Sequence, residues 1–95
     1  MFCVNVWLSV KDPGNVETVR SLLAEAGRSS RMEPGCLRFE VYQSEADRTR
    51  FLLCERWQAK ADWEHHKTLH AFRNIYAPKI LPLVEREAHV SVPVE

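Results

Sequence analysis

From Phe2 to Val10 the chain alternates apolar and mixed positions with a period of two, the spacing of an extended strand. Phe2, Val4, Val6, Leu8 and Val10 make one greasy face; Cys3, Asn5, Trp7 and Ser9 make the other. Asp12-Pro13-Gly14-Asn15 breaks this strand, with Asp12 or Asn15 in position to cap a helix. The period then changes. Val16, Val19, Leu22, Leu23 and Ala26 recur at helical spacing, and Glu17, Arg20, Glu25 and Arg28 fall on the water side. Glu33-Pro34-Gly35 ends that helix, because proline moves its predecessor out of the α region and glycine supplies the turn.

Leu37, Phe39 and Val41 alternate with Arg38, Glu40 and Tyr42, which predicts a second strand. Ser44-Glu45-Ala46-Asp47 is a hairpin-length loop. Arg50 to Trp57 is a third strand, with Phe51, Leu53, Glu55 and Trp57 on one face; Leu52 and Cys54 make its other face apolar as well, so both faces expect cover. Ala59 to about Val84 reads as helical, interrupted near Thr68 and ended around Pro78 to Pro82. Glu87 to Val94 closes the chain as a strand with Ala88, Val90, Val92 and Val94 aligned. The order β-α-β-β-α-β predicts an α+β, ferredoxin-like domain with an antiparallel sheet.

The 95 residues allow one domain, 1–95, with a single core. A chain this short buries roughly 60–65% of its unfolded surface and is marginal alone. Two helices cover one face of a four-stranded sheet, and the opposite face is expected to carry further Val, Leu and Phe side chains. A homodimer paired sheet to sheet is the simplest cover, and the valine-rich tail can cross to the partner.

Thirteen basic and thirteen acidic residues balance, and no basic run offers a nucleic-acid surface. No apolar stretch is long enough for a membrane span, and the first ten residues lack the pattern of a signal peptide. Cys3, Cys36 and Cys54 are an odd count without CxxC spacing, which points to buried thiols in a reducing, cytoplasmic setting.

Four groups carry potential chemistry. His66 and His70, beside His65, stand at the i, i+4 spacing of a shared helix face; they are surface residues, pocket bases or a pair lacking the third ligand a metal needs, so no metal site is expected. Glu55 and Trp57 point to one face of a strand. A glutamate among Phe51, Leu53 and Trp57 is either paired with Arg38 or Arg56 or is a general base with a raised pKa. Asn5 beside Trp7 needs hydrogen-bond partners that a ligand or the chain can supply. Tyr76, with Arg73 and Lys79, sits at the rim of the last helix. A helix–sheet gap lined by Trp, His, Asn and Glu suits a flat, partly polar aromatic ligand.

The segment Glu33-Pro34-Gly35-Cys36-Leu37-Arg38-Phe39-Glu40-Val41-Tyr42 resembles the EPGC motif of the antibiotic biosynthesis monooxygenase family. Phe51-Leu52-Leu53-Cys54-Glu55-Arg56-Trp57 resembles its F-x-x-x-E-x-W strand, His66 matches its helix histidine, and Thr68-Leu69-His70 resembles a shortened T-P-H. The resemblance covers nearly the whole chain, in order. It implies a dimeric α/β barrel and an enzyme that oxidises a small phenolic, anthrone or quinol substrate with dioxygen, using no metal, flavin or haem. His66 would be the base, Glu55 and Trp57 its catalytic neighbours, and Asn5, Trp7, His65, His70 and Tyr76 the substrate-binding residues. The haem-degrading branch shares the strand asparagine, matched by Asn5, but its tryptophan position falls on His66 and its histidine ligand on Tyr76, so haem is not expected. The alternatives are a non-catalytic small-molecule binding dimer and an isomerase or decarboxylase on the same scaffold.

Overall fold

Strand β1 (Phe2–Val10) is an inner strand of the four-stranded antiparallel sheet in the computed structural model, which describes residues 1–95. The spatial order is β2 (Cys36–Gln43), β3 (Arg50–Trp57), β1 and β4 (Val84–Ser91), the ferredoxin-like order expected from the succession of periods. Val4, Val6, Leu8 and Val10 project from β1 into a core shared with Phe51 and Leu53 of β3. Helix α1 (Val16–Ser30) lays Val19, Leu23 and Ala26 on that face. Asp12 stops β1 by accepting the Gly14 N–H at 2.9 Å and so starts the short turn of helix that leads into α1. Asn15, the other capping candidate, makes no side-chain cap.

The second helical segment is two helices. Helix α2 (Lys60–His66) ends before Thr68, and α3 (Ala71–Ile80) follows with the wider i→i+5 winding of a π-helix, closed by the Leu81 N–H on the Tyr76 carbonyl. Pro78 lies inside α3, and a 3₁₀ turn at Leu81–Leu83 joins it to β4. The sheet resumes at Val84, earlier than Glu87, and ends at Ser91; Val92 and Val94 lie beyond it and are exposed. Arg86 is thereby drawn into the strand.

Two further expectations are corrected. Leu37 is exposed, because a bulge between Cys36 and Arg38 shifts the register and leaves Phe39 as the buried residue. The valines and phenylalanines of β1 and β3 all face the helices. The open face carries Cys3, Trp7, Leu52 and Cys54 among Asn5, Arg50, Arg56, Glu87 and His89, so it is mixed where an aliphatic surface was expected. No helix is long and apolar enough to cross a membrane. All three cysteines are free.

Candidate functional site

The turn Glu33-Pro34-Gly35 does more than end α1. Gly35 has φ +76°, and a Cβ there would collide with the Asp62 side chain in the first turn of α2. The Gln58 N–H bonds the Gly35 carbonyl at 2.8 Å, and Asp62 accepts the Ala59 N–H at 3.1 Å. The turn is thus docked against the β3–α2 junction. Glu33, two residues before Gly35, meets His66 at the far end of α2, with Oε1 2.5 Å from Nδ1.

His66 is buried, and aromatic rings surround it: Trp57 at 4.8 Å between centroids, Phe72 at 5.8 Å and Phe39 at 6.0 Å. Burial lowers its pKa, opposed by the nearby Glu55 carboxyl. Burial likewise pushes the Glu33 carboxyl up to about 7, with His65 acting in the opposite direction. Each shift favours the neutral form of its group, the expected state of a buried acid–base pair joined by one proton. The second carboxylate oxygen of Glu33 is buried and has no partner.

Glu55 stands on β3 with its carboxylate accepting the Trp57 indole N–H at 3.1 Å. Neither expected arginine reaches it. Arg38 pairs with Glu40, and Arg56 lies on the opposite face of the sheet, since neighbouring strand residues point to opposite sides. Burial raises the Glu55 pKa, partly offset by the Trp57 hydrogen bond and by the charges of His66 and Arg86. The pairing of Glu55 with Arg38 or Arg56 is therefore not formed, and the arginine whose charge acts on it is Arg86.

Glu55 and His66 both line a cavity of about 30 Å³ between the sheet and the helices, closed by Trp63, Lys67 and Phe72. Lys67 rests over the Trp63 ring, 3.6 Å from its centroid. Tyr76 borders the same cavity, and its hydroxyl accepts from Arg86 Nε at 3.0 Å. Binding pockets for drug-sized molecules run to roughly 300–1,000 Å³, so a ring-sized ligand would need one of the lining side chains to move. The π-helical winding of α3 places Phe72 on a segment with weaker local geometry than an α-helix.

The remaining predicted residues lie elsewhere. Asn5 and Trp7 are on the open face of the sheet, where Asn5 Nδ2 bonds Ser91 Oγ at 3.3 Å and Arg50 stacks 4.6 Å from the Trp7 ring. The helix–sheet gap contains no asparagine. His65 is exposed, and His70 is exposed with Nδ1 held by Asn74 at 2.9 Å. The break after His66 places His70 outside α2, so the two histidines share no helix face and no group of three metal-binding side chains forms. His66 also packs far more tightly than a residue at a pocket rim would. Sequence reasoning missed Glu33, read only as part of a turn, and Arg86, left outside the last strand. It also missed Ser30, whose buried Oγ borders the cavity without a partner. Only the acidic residue inside the EPGC segment hinted at the first.

Comparison with known proteins agrees with this architecture. A protein from Nitrosomonas europaea described as a candidate antibiotic biosynthesis monooxygenase superposes with a TM-score of 0.91 at 24% identity, covering 100% of both chains. A Bacteroides thetaiotaomicron protein described as a possible oxidoreductase gives 0.87 at 26% identity, over 95% of this chain and 94% of that one. A third, from Deinococcus radiodurans and described as a candidate antibiotic biosynthesis monooxygenase, gives 0.80 at 23% identity, over 100% and 96%. No curated protein matches the chain. The family profile described as antibiotic biosynthesis monooxygenase matches residues 1–78, most of the chain and all of the segment that builds the Glu33–His66–Glu55 cluster, and on that match the chain belongs to the antibiotic biosynthesis monooxygenase family.

Proposed function

We propose that this chain is a cofactor-independent monooxygenase that oxidises a small phenolic or quinol compound with dioxygen. The observation that carries the proposal is His66, a buried imidazole walled by aromatic rings that lines the cavity, with Nδ1 bound to Glu33 and no hydrogen bond at its other nitrogen. Membership of the family supports the reaction class.

The chemistry follows from the substrate. A phenol is a poor electron donor, and its phenolate is a good one. His66 takes the phenolic proton at Nε2, and the Glu33 carboxylate stabilises the imidazolium through Nδ1–H. The phenolate gives electrons to dioxygen, a carbon–oxygen bond forms, and a peroxide remains on the ring. Glu55, inclined by burial to hold its proton, is the acid that assists cleavage of the oxygen–oxygen bond. A phenol and dioxygen give a quinone and water, so the atoms balance without an added reductant. A dry cavity favours each proton transfer and limits hydrolysis or escape of intermediates.

The working unit in this proposal is a homodimer in the cytoplasm. Trp7, Leu52 and Cys54 on the open sheet face, with the exposed Val92 and Val94 of the tail, provide the apolar contact, and three free thiols fit a reducing compartment. The test is oxygen uptake with a panel of phenols and quinols in metal-free buffer. Uptake matched by quinone formation and lost in His66→Gln is the expected result. A ligand that binds without turnover would instead assign the chain to the non-catalytic binders.

A further inference from the structure

The proposed oxidation leaves one cation of the cavity without a task. Arg86 projects from β4 on the helix side of the sheet, opposite Leu8, and borders the same cavity as His66. Its Nε donates to the Tyr76 hydroxyl at 3.0 Å, and Tyr76 is itself buried, so the guanidinium is anchored along one edge. No carboxylate forms an ion pair with it. Glu55, the carboxyl group that lines the cavity, accepts the Trp57 indole N–H and feels the Arg86 charge without forming an ion pair with it. Lys67 adds a second cation to the lining and lies over the Trp63 ring with no carboxylate partner either.

We propose that Arg86 makes this a site for an anionic single-ring aromatic, a phenol or quinol bearing a carboxylate, whose hydroxyl meets His66 and whose carboxylate meets the two free guanidinium nitrogens of Arg86. The inference rests on the reading of His66 as the base. Four observations converge on it. A guanidinium fixed at Nε presents its terminal nitrogens as a fork that matches a carboxylate. Two cations, both reaching solvent, border a cavity lined by one carboxyl group, Glu55, which burial inclines to hold its proton, so the lining favours an anionic ligand over a neutral one. The cavity is only about 30 Å³, so a single ring would require less displacement of Phe72 or Trp63 than a fused system. Ser30, with its hydroxyl buried and unpartnered on the cavity wall, is placed to bond a second ligand oxygen.

Binding without turnover separates this inference from the oxidation itself. Gentisate and hydroquinone share a para-dihydroxylated ring and differ by the carboxylate. Their affinities are measured without oxygen, by equilibrium dialysis, for the native chain and for Arg86→Gln, Arg86→Lys and the surface control Arg28→Gln. The native chain is expected to prefer gentisate by about tenfold or more, the scale of a charge-assisted bidentate contact. Arg86→Gln should abolish the preference, Arg86→Lys should keep part of it, and Arg28→Gln should keep all of it. Equal affinities in the native chain, failure of gentisate to bind, or a preference that survives Arg86→Gln would overturn the proposal. Preferential binding with no oxygen uptake would leave this inference standing and remove the monooxygenase reading. Uptake with neutral phenols alone would do the reverse.

Discussion

His66 Nδ1 and Glu33 Oε1 meet at 2.5 Å with about 7% of either side chain exposed, although 33 residues of chain separate them. Burial acts on both partners toward the neutral form, lowering the His66 pKa and raising that of Glu33.

The first prediction concerns activity against pH. The neutral form of His66 is the base, and burial lowers its pKa below the ordinary 6.5. Glu33 must be ionised to stabilise the imidazolium, and its value lies near 7. The kcat/KM for a neutral phenol should rise with pH and level off just above the Glu33 value. In Glu33→Gln the limb near 7 should vanish and kcat should fall by about tenfold or more, as when a partner that orients a catalytic histidine is lost. A rate that falls between pH 6 and 8 would end the base assignment.

Stability should respond to the same substitution in a direction set by linkage. Glu33 rises from 4.5 to about 7 on folding, so between those values the folded state binds more protons than the unfolded one. The stability contributed by this group is full below 4.5 and is lost as pH climbs through about 7. His66, whose pKa is depressed, contributes in the opposite direction and titrates in both proteins. The amide introduced by Glu33→Gln does not titrate. The melting temperature of Glu33→Gln relative to the native chain should increase from acid to neutral pH, as thermal unfolding across that range would reveal.

Replacing His66 itself calls for care, because it is part of the core. His66→Ala removes contacts with Trp57 and Phe72 and leaves Glu33 wholly without a partner, a loss of about 2–4 kcal/mol from cavity and unpaired-group terms together. His66→Gln retains bulk and an amide for Glu33 and should fold with a smaller loss. Both should lower the rate with a neutral phenol by about 10²–10⁴-fold, and both should matter much less for a phenol already ionised in solution. Equal rates for native chain and His66→Gln would transfer the role to Glu55.

Trp57 and Glu55 offer an independent check on packing. Trp57 is fully buried, and its indole N–H is the hydrogen-bond donor that Glu55 has. Trp57→Phe keeps most of the aromatic surface and removes that donor, which should cost about 1–3 kcal/mol in chemical denaturation. It should also raise the Glu55 pKa further, since the hydrogen bond opposes the effect of burial.

The dimer can be tested at the open face. Leu52 and Trp7 are half-buried neighbours across β1 and β3 on the side away from the helices. Leu52→Glu should convert a homodimer to monomers in sedimentation velocity, with little change in helix content. An interface on the order of 1,200 Å² or more is expected for such pairing. A native chain that sediments as a monomer at micromolar concentration would sink the idea.

Local periodicity alone determined much of this protein. The two-residue alternation of β1, the span of Arg50–Trp57 and the helical spacing of Val19, Leu23 and Ala26 all follow from how each side chain sits relative to its neighbours, which the sequence states directly. Glu55 and Trp57 could be singled out because they share a strand face that must be buried, and His66 by its spacing and its match to the family motif; Tyr76, read as a rim residue, is buried in the structure. Tertiary structure decided the rest. Asn5 and Trp7 share β1 with the core residues, yet one-residue alternation sends them to the opposite face from His66. Glu33 looked like a turn residue until Gly35, docked on Asp62, carried it to the end of α2. Arg86, an exposed residue, borders the cavity because β4 begins at Val84 and its register against β1 turns that side chain toward the helices. A period tells which way a side chain points within its own element. Which partner it then meets depends on register and on where a turn docks, and those are set by contacts between segments far apart in the chain.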